Sequence, residues 1–384
     1  MSPYSRLIAF YFFYYAFFGI HTPYFSLFLQ HRGFGAAQIG LLTSIYQFTR
    51  VFAPNVSGWV ADRTGKRLQV VKISACMTLL GYALVMPSHS LPAMALALGL
   101  AGFFWSCQQP ITEALTLAHL RDEPWRYGGV RAWGSFGFIV LVLGMGWWLE
   151  RASINSVYWG TMGLLVISLF FAWMLPEIKI TSSRREAHAG GVLAILRQRE
   201  VMGVFAACML MTAAHGTLNV FYSIHLAAAG YSKSVIGVMW TLGVIVEIIV
   251  MMMSPRLLAR FPVHWIFSFA FICAIVRFLV IGWCTEWPLV MALAQCMHGI
   301  TFGACHVSAI SVVHRRFGEQ HQGQGQAFYG SICSGLGGII GSALSGAMWD
   351  RIGAGWSFSF SSALALLAGI VYWQIARPRA SANA

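Results

Sequence analysis

Apolar runs of about 20 residues follow one another along almost the whole chain, and a few charged side chains lie inside them. A hydrocarbon layer about 30 Å thick is crossed by a helix of ~20 apolar residues. Runs of this length therefore predict membrane-spanning helices. A charge at the centre of such a helix costs at least ~2.5–3.5 kcal/mol on insertion scales. Five charges lie inside the runs: Arg50, Glu113, Arg131, Glu247 and Arg277. Together they predict a polar path through a bundle.

The runs are continuous rather than alternating, which predicts helices and argues against a barrel. Only 10% of the 384 residues are charged and 58% are apolar, against about 25% charged in a soluble domain. Too little polar surface remains to cover a water-soluble globule. The predicted spans are 6–30, 38–61, 70–87, 91–119, 129–150, 154–175, 200–227, 233–256, 263–283, 287–314, 323–348 and 355–376. The expected fold is an all-α polytopic protein of twelve helices. The first run is too long for a signal-peptide core and has no small-residue cleavage site, so it is expected to remain as the first span.

A net charge of +13 would suit a nucleic-acid partner, but its placement argues for a bilayer. Of the 25 Lys and Arg, 18 fall in one set of alternate loops and the two termini, 4 in the opposite loops and 3 inside spans. Basic loops stay cytoplasmic, which predicts cytoplasmic termini, a lipid partner and no nucleic acid. The eight cysteines fall almost wholly within spans, with no metal-ligand or disulfide spacing. They are expected to be packing thiols, with no metal and no cofactor.

One polar stretch, 176–199, divides the chain into six spans and six. The predicted organisation is a bundle over 1–175, a cytoplasmic linker over 176–199 and a bundle over 200–384. The halves resemble each other. An offset of 197 carries Ser26 onto Ser223, Leu29 onto Leu226, Gly33 onto Gly230, Ile39 onto Ile236 and Gly40 onto Gly237. An offset of 196 carries Trp133-Gly134-Ser135 onto Tyr329-Gly330-Ser331. Duplicated halves around a midplane site are a transporter architecture.

The loop after span two reads Gly58-Trp59-Val60-Ala61-Asp62-Arg63-Thr64-Gly65-Lys66-Arg67. It resembles the G-x-x-x-D-R-x-G-R/K-R/K signature of the major facilitator superfamily, at the expected loop. The resemblance implies two pseudo-symmetric six-helix bundles and a gating role for Gly58, Asp62, Arg63, Gly65, Lys66 and Arg67. Asp62 would latch onto the positive N-terminal end of span eleven.

A narrower likeness lies in Tyr127-Gly128-Gly129-Val130-Arg131-Ala132-Trp133-Gly134-Ser135. It is similar to the start of span five in the lactose permease family and in the phenylpropionate-permease and nucleoside–proton symporter group. Glu113 precedes Arg131 by 18 residues, as an acid precedes the arginine there. Glu247, Arg277 and His298 then follow in the order of the lactose permease's coupling residues. Where that family has a glutamate one turn after the histidine, this chain has Thr301, which moves the expected proton carrier to Glu247. The likeness is best to the phenylpropionate-permease group, with His215, Glu247, Arg277, His298 and His306 in corresponding spans.

That resemblance implies proton coupling through Glu247, Glu113, Arg131 and His298, with Arg131 shared by the two acids. Arginine keeps its proton and needs a counter-charge or water. One of Arg50 and Arg277 is then left for a substrate carboxylate, a strong two-point contact. The alternative is that it bonds to carbonyls, hydroxyls or His298. His215 and His306 add polar positions, eight residues separating His298 from His306 and setting them about 80° apart on an ideal helix. Tyr14, Tyr15, Tyr24, Tyr222, Trp133 and Tyr329 lie on spans that line the cavity in the superfamily, and would suit an aromatic substrate by stacking. The reading is a monomeric inner-membrane proton symporter of a small organic acid of the aromatic carboxylate class. Nucleosides, sugars and drug or metabolite efflux are the alternatives. No nucleophile elbow appears, and no enzyme is predicted.

Overall fold

The computed structural model describes residues 2–121, 123–178 and 189–376. The middle of the predicted linker and the C-terminal tail lie outside the described residues. Among the described residues every regular element is helical. The chain runs through α1 (Pro3–His31), α2 (Ala36–Thr64), α3 (Arg67–Ala83), α4 (Leu91–His119), α5 (Tyr127–Trp148) and α6 (Ser156–Met174). A short α7 (Ala189–Leu196) precedes α8 (Arg199–Ala214), α9 (Gly216–Ala228), α10 (Lys233–Arg260), α11 (Val263–Trp283) and α12 (Pro288–Cys296). A π-helical turn, Gly299–Ala304, leads into α13 (Cys305–Tyr329), and a second, Gly330–Leu336, leads into α14 (Gly337–Val371).

Eight helical runs among the described residues are long and apolar enough to cross a membrane by length and composition. The last of them, His321–Ala376, is 56 residues long and breaks at Gly353, whose φ is +78°. At 1.5 Å per residue so long a run exceeds a single crossing. The predicted spans 91–119 and 263–283 coincide with α4 and α11.

The chain divides into two compact units. One holds Met1–Arg184 and Asn219–Thr241, and the other Arg185–Leu218 and Leu242–Ala384. In the first unit α1 packs on α5 and α6, and α4 on α2 and α3. Glycines set the approach of α5 to α1: a Cβ at Gly134 would strike the Tyr15 ring, and one at Gly137 the Phe12 carbonyl. In the second unit α14 packs on α8 and α11. There Gly216 and Gly341 leave no room for a Cβ against the opposing backbone. Small residues permit this close packing where water supplies no driving force between helices.

The sequence repeat has a backbone counterpart. Gly33 and Gly230 have φ of +85° and +87°, the left-handed region that glycine enters without steric cost. Around Gly33 the N–H groups of Arg32, Gly33 and Phe34 donate to the carbonyls of Phe28, Gln30 and Leu29. Around Gly230 the N–H groups of Ala229, Gly230 and Tyr231 donate to His225, Ala227 and Leu226. Every donor and acceptor is displaced by 197. The turn that ends α1 and the turn that ends α9 are therefore the same turn.

The signature loop follows from local chemistry. Gly65, with φ +67°, closes α2 and its N–H donates to the Ala61 carbonyl, the usual left-handed helix stop. Arg67 then turns back and donates to Asp62 Oδ1 at 2.6 Å. Arg63 lies over the Trp59 ring at 5.2 Å. Gly58 has open space around it.

Candidate functional site

Each unit carries charge at the midpoint of a long helix, and the lipid-facing side chains show where it points. On α2 the exposed apolar residues include Leu41, Phe48, Phe52 and Trp59. At about 100° per residue these lie ~160–200° around the helix from Arg50. On α10, Val238, Ile245, Ile249 and Met252 are exposed and lie ~140–200° from Glu247. On α5, Phe136, Val140 and Trp147 are exposed and lie ~140–180° from Arg131. All three charges face away from the apolar stripe of their own helix, which removes the insertion cost of placing them toward lipid.

In the second unit, Glu247 and His298 form a pair, with Oε2 and Nε2 3.5 Å apart and side chains 20% and 14% exposed. Glycines make room for both partners. Gly243 lies against the Cβ of His298, Gly303 lies against the Cγ of Glu247, and Gly299 abuts the Val246 backbone. The π turn at Gly299–Ala304 then corrects the expected angle between His298 and His306. A turn with i→i+5 bonds is wider than an α turn. The rings of His298, Phe302 and His306 consequently stack in one column, at 5.4 and 6.3 Å with planes within 7° and 5°. His306 Nδ1 continues the column to the Tyr329 hydroxyl at 3.2 Å.

Arg277 sits beside this column and is 0% exposed. Its Nε donates to the Ala294 carbonyl at 2.9 Å, Nη2 to Gln295 Oε1 at 2.8 Å and Nη1 to Thr301 Oγ1 at 3.0 Å. Nη1 also reaches His215 Nε2 at 3.4 Å. His215 Nδ1 meets the Met211 carbonyl at 2.8 Å, which can only accept, so that nitrogen carries the proton. Arginine can only donate, so Nε2 presents its lone pair. These contacts define a neutral His215. Thr301, the departure from the lactose permease pattern, receives a hydrogen bond from this guanidinium.

In the first unit, Arg131 stacks on the Tyr15 ring, 3.9 Å from its centre. Glu113 accepts a hydrogen bond from Gln109 at 3.0 Å. No ion pair joins Arg131 and Glu113 among the described residues. Arg50 is exposed, and its hydrogen bond is to Gln47 Oε1 at 3.3 Å. A column of rings lies nearby on α1 and α4, with Tyr14 stacked on Trp105 at 4.1 Å and His21 between Phe17 and Phe25. His21, Tyr46 and Trp105 also line a small cavity with Phe17, Thr78 and Tyr82.

The aromatic candidates are distributed unequally. Tyr329 joins the histidine column. Tyr24 is fully buried, its hydroxyl donating to the carbonyls of Val142 and Lys233, and Tyr222 is buried edge-on to Trp240. Trp133 is 44% exposed on the apolar stripe of α5, against Phe136. Its position two residues from Arg131 turns it ~200° away, a signal available in the sequence. Gln47, Gln295 and Phe302 were not singled out from the sequence. Spacings of three or four residues from Arg50 and His298 would have pointed to Gln47, Gln295 and Phe302.

Comparison with known proteins identifies the family and the fold. The MFS_1 like family matches residues 4–360 of the chain. A probable 3-phenylpropionic acid transporter of Escherichia coli (strain K12) is 29% identical over 355 residues, covering 90% of this chain and 91% of that protein. The maltose permease of Geobacillus stearothermophilus is 22% identical over 376 residues, covering 97% and 95%. Among solved structures, the nucleoside transporter NupG superposes with a TM-score of 0.87 at 17% identity, covering 99% of this chain and 100% of that one. At that identity the likeness speaks for the fold.

Proposed function

Because the chain belongs to the MFS_1-like family of multi-pass membrane transporters, we propose that it is a proton symporter of a small organic acid. An aromatic carboxylate of the phenylpropionate kind is the substrate class that fits best. The observation that carries the reading is the Glu247–His298 pair at 3.5 Å. A carboxylate against an imidazole gives one proton two adjoining sites, and its arrival changes the charge at the midpoint of α10 by one. The column through Phe302 to His306 and Tyr329 continues from that point.

An organic acid suits the surplus of intramembrane arginine over acid, three against two. The name of the Escherichia coli relative supports an aromatic one. In this reading the bundles over 1–175 and 200–384 rock by alternating access, and the 58–67 loop, with Asp62 and Arg67, closes the cytoplasmic side. The basic loops and both termini lie in the cytoplasm, in an inner membrane, and the working unit is a monomer.

Proteoliposomes test this directly. Labelled 3-phenylpropionate should accumulate when the outside is made acidic, and a protonophore should abolish the accumulation. Uptake that is unchanged after collapse of the gradient removes proton coupling. Maltose and nucleosides, run in the same assay, should not compete.

A further inference from the structure

We infer that Arg50 is the residue that receives the substrate's carboxylate and sets the preference for anions, an assignment that rests on the organic-acid reading above. The argument begins with what the three intramembrane arginines are already doing. Arg277 is sealed, and its N–H groups hold Ala294, Gln295, Thr301 and His215 in place. Arg131 lies over the Tyr15 ring. Arg50 is exposed at the midpoint of α2 and spends one of its five N–H donors on Gln47.

An exposed arginine at the midpoint of a membrane-crossing helix would be untenable toward lipid. The apolar stripe of α2 is on the far side, while Thr43, Tyr46 and Gln47 share the stripe of Arg50 at about 20–60° from it. The guanidinium therefore points away from that stripe, with N–H donors left over for a two-point carboxylate contact.

The repeat gives this position independent weight. The offset of 197 that superimposes the turns at Gly33 and Gly230 carries Arg50 onto Glu247. Both are at helix midpoints and opposite the lipid stripe. Duplication has thus placed a permanent cation and a titratable carboxylate at one and the same structural position. The first is fitted to hold an anion of fixed charge, and the second to take and release a proton.

The test is binding of 3-phenylpropionate and of its neutral isostere, 3-phenylpropanamide, to purified protein in nanodiscs, by calorimetry. For Arg50→Gln, acid affinity should fall roughly 10- to 100-fold, while amide affinity changes by less than about 3-fold. Arg50→Lys, which keeps the charge and loses the fork, should fall between the wild type and Arg50→Gln. An Arg50→Gln protein that binds the acid like a wild type that binds it well overturns the assignment alone. So does equal loss of acid and amide. A wild type that binds none of 3-phenylpropionate, cinnamate and benzoate overturns the organic-acid reading, and the assignment with it.

Discussion

Arg50 on α2 and Glu247 on α10 occupy one position of a duplicated structure, and their surroundings have nothing else in common. Arg50 stands in the open, with Gln47 beside it. Glu247 lies against a neighbouring helix that is thinned by glycine at Gly299 and Gly303, so that His298 reaches it. The repeat has preserved backbone placement and the direction of the side chain. It has not preserved chemistry. An exposed permanent charge is free to exchange partners, whereas a carboxylate held against an imidazole has a defined place for one proton.

The largest effect that would separate the two positions is on coupling. Glu247→Gln keeps the shape and removes the titration. Gradient-driven accumulation should fall by about 100-fold or more, the lower range for loss of a positioned acid–base group. Binding of 3-phenylpropionate should stay within about 3-fold of wild type. Retention of uphill uptake in this variant would dissolve the contrast, since both positions would then serve substrate rather than proton.

A second contrast, between Arg50 and Arg277, should appear in stability. Truncating Arg277 to Gln strands the Ala294 carbonyl and disturbs Gln295, Thr301 and His215 in a site without solvent. A buried, charge-assisted network of this kind is worth about 2–3 kcal/mol. The apparent melting temperature should drop by roughly 2–4 °C. Arg50→Gln, at an exposed position, should shift it by less than about 1 °C. Equal shifts would mean that Arg50 is also a packing element.

Much of this contrast was legible in the residues. Continuous apolar runs fixed α4 and α11 to their ends, because in lipid every backbone N–H and C=O must bond within its own helix. The turns at Gly33 and Gly230 were visible as a repeat because only glycine accepts their φ without cost. The five charges inside apolar runs stood out for the same energetic reason that they matter. The alignment of His298 with His306 could not be read. An ideal helix sets them apart, and nothing in Gly299-Ile300-Thr301-Phe302-Gly303-Ala304 announces a π turn, which depends on packing against α10 and α11. The burial of Arg277 was equally hidden. Arg50 and Arg277 are both arginines in apolar runs, and their separation depends on Gln295 and Thr301 arriving from another helix.

The smallest effect concerns how the two repeat-related helices begin. The start of α2 is capped from within, the Gly35 N–H donating to Gln38 Oε1 at 3.0 Å. The start of α10 is capped from a distance, the Ser234 N–H donating to Glu150 Oε1 at 2.7 Å. That backbone N–H holds the Glu150 carboxyl below its ordinary value of about 4.5. A carboxyl whose value is depressed in the folded protein contributes its full stabilisation above that ordinary value, and loses it as the pH falls through the shifted one. Hydrogen-exchange protection at the first turn of α10 should therefore hold from neutral pH to about 4.5 and decline below. Protection at the first turn of α2, whose cap does not titrate, should stay level over the same range. Glu150→Gln should lower α10 protection by a few-fold at neutral pH, the size of a helix-terminus charge effect of about 0.3–1 kcal/mol, and flatten its pH dependence. A decline at both helix starts together, or one that survives in Glu150→Gln, would trace the change to general acid loosening instead of to this carboxylate.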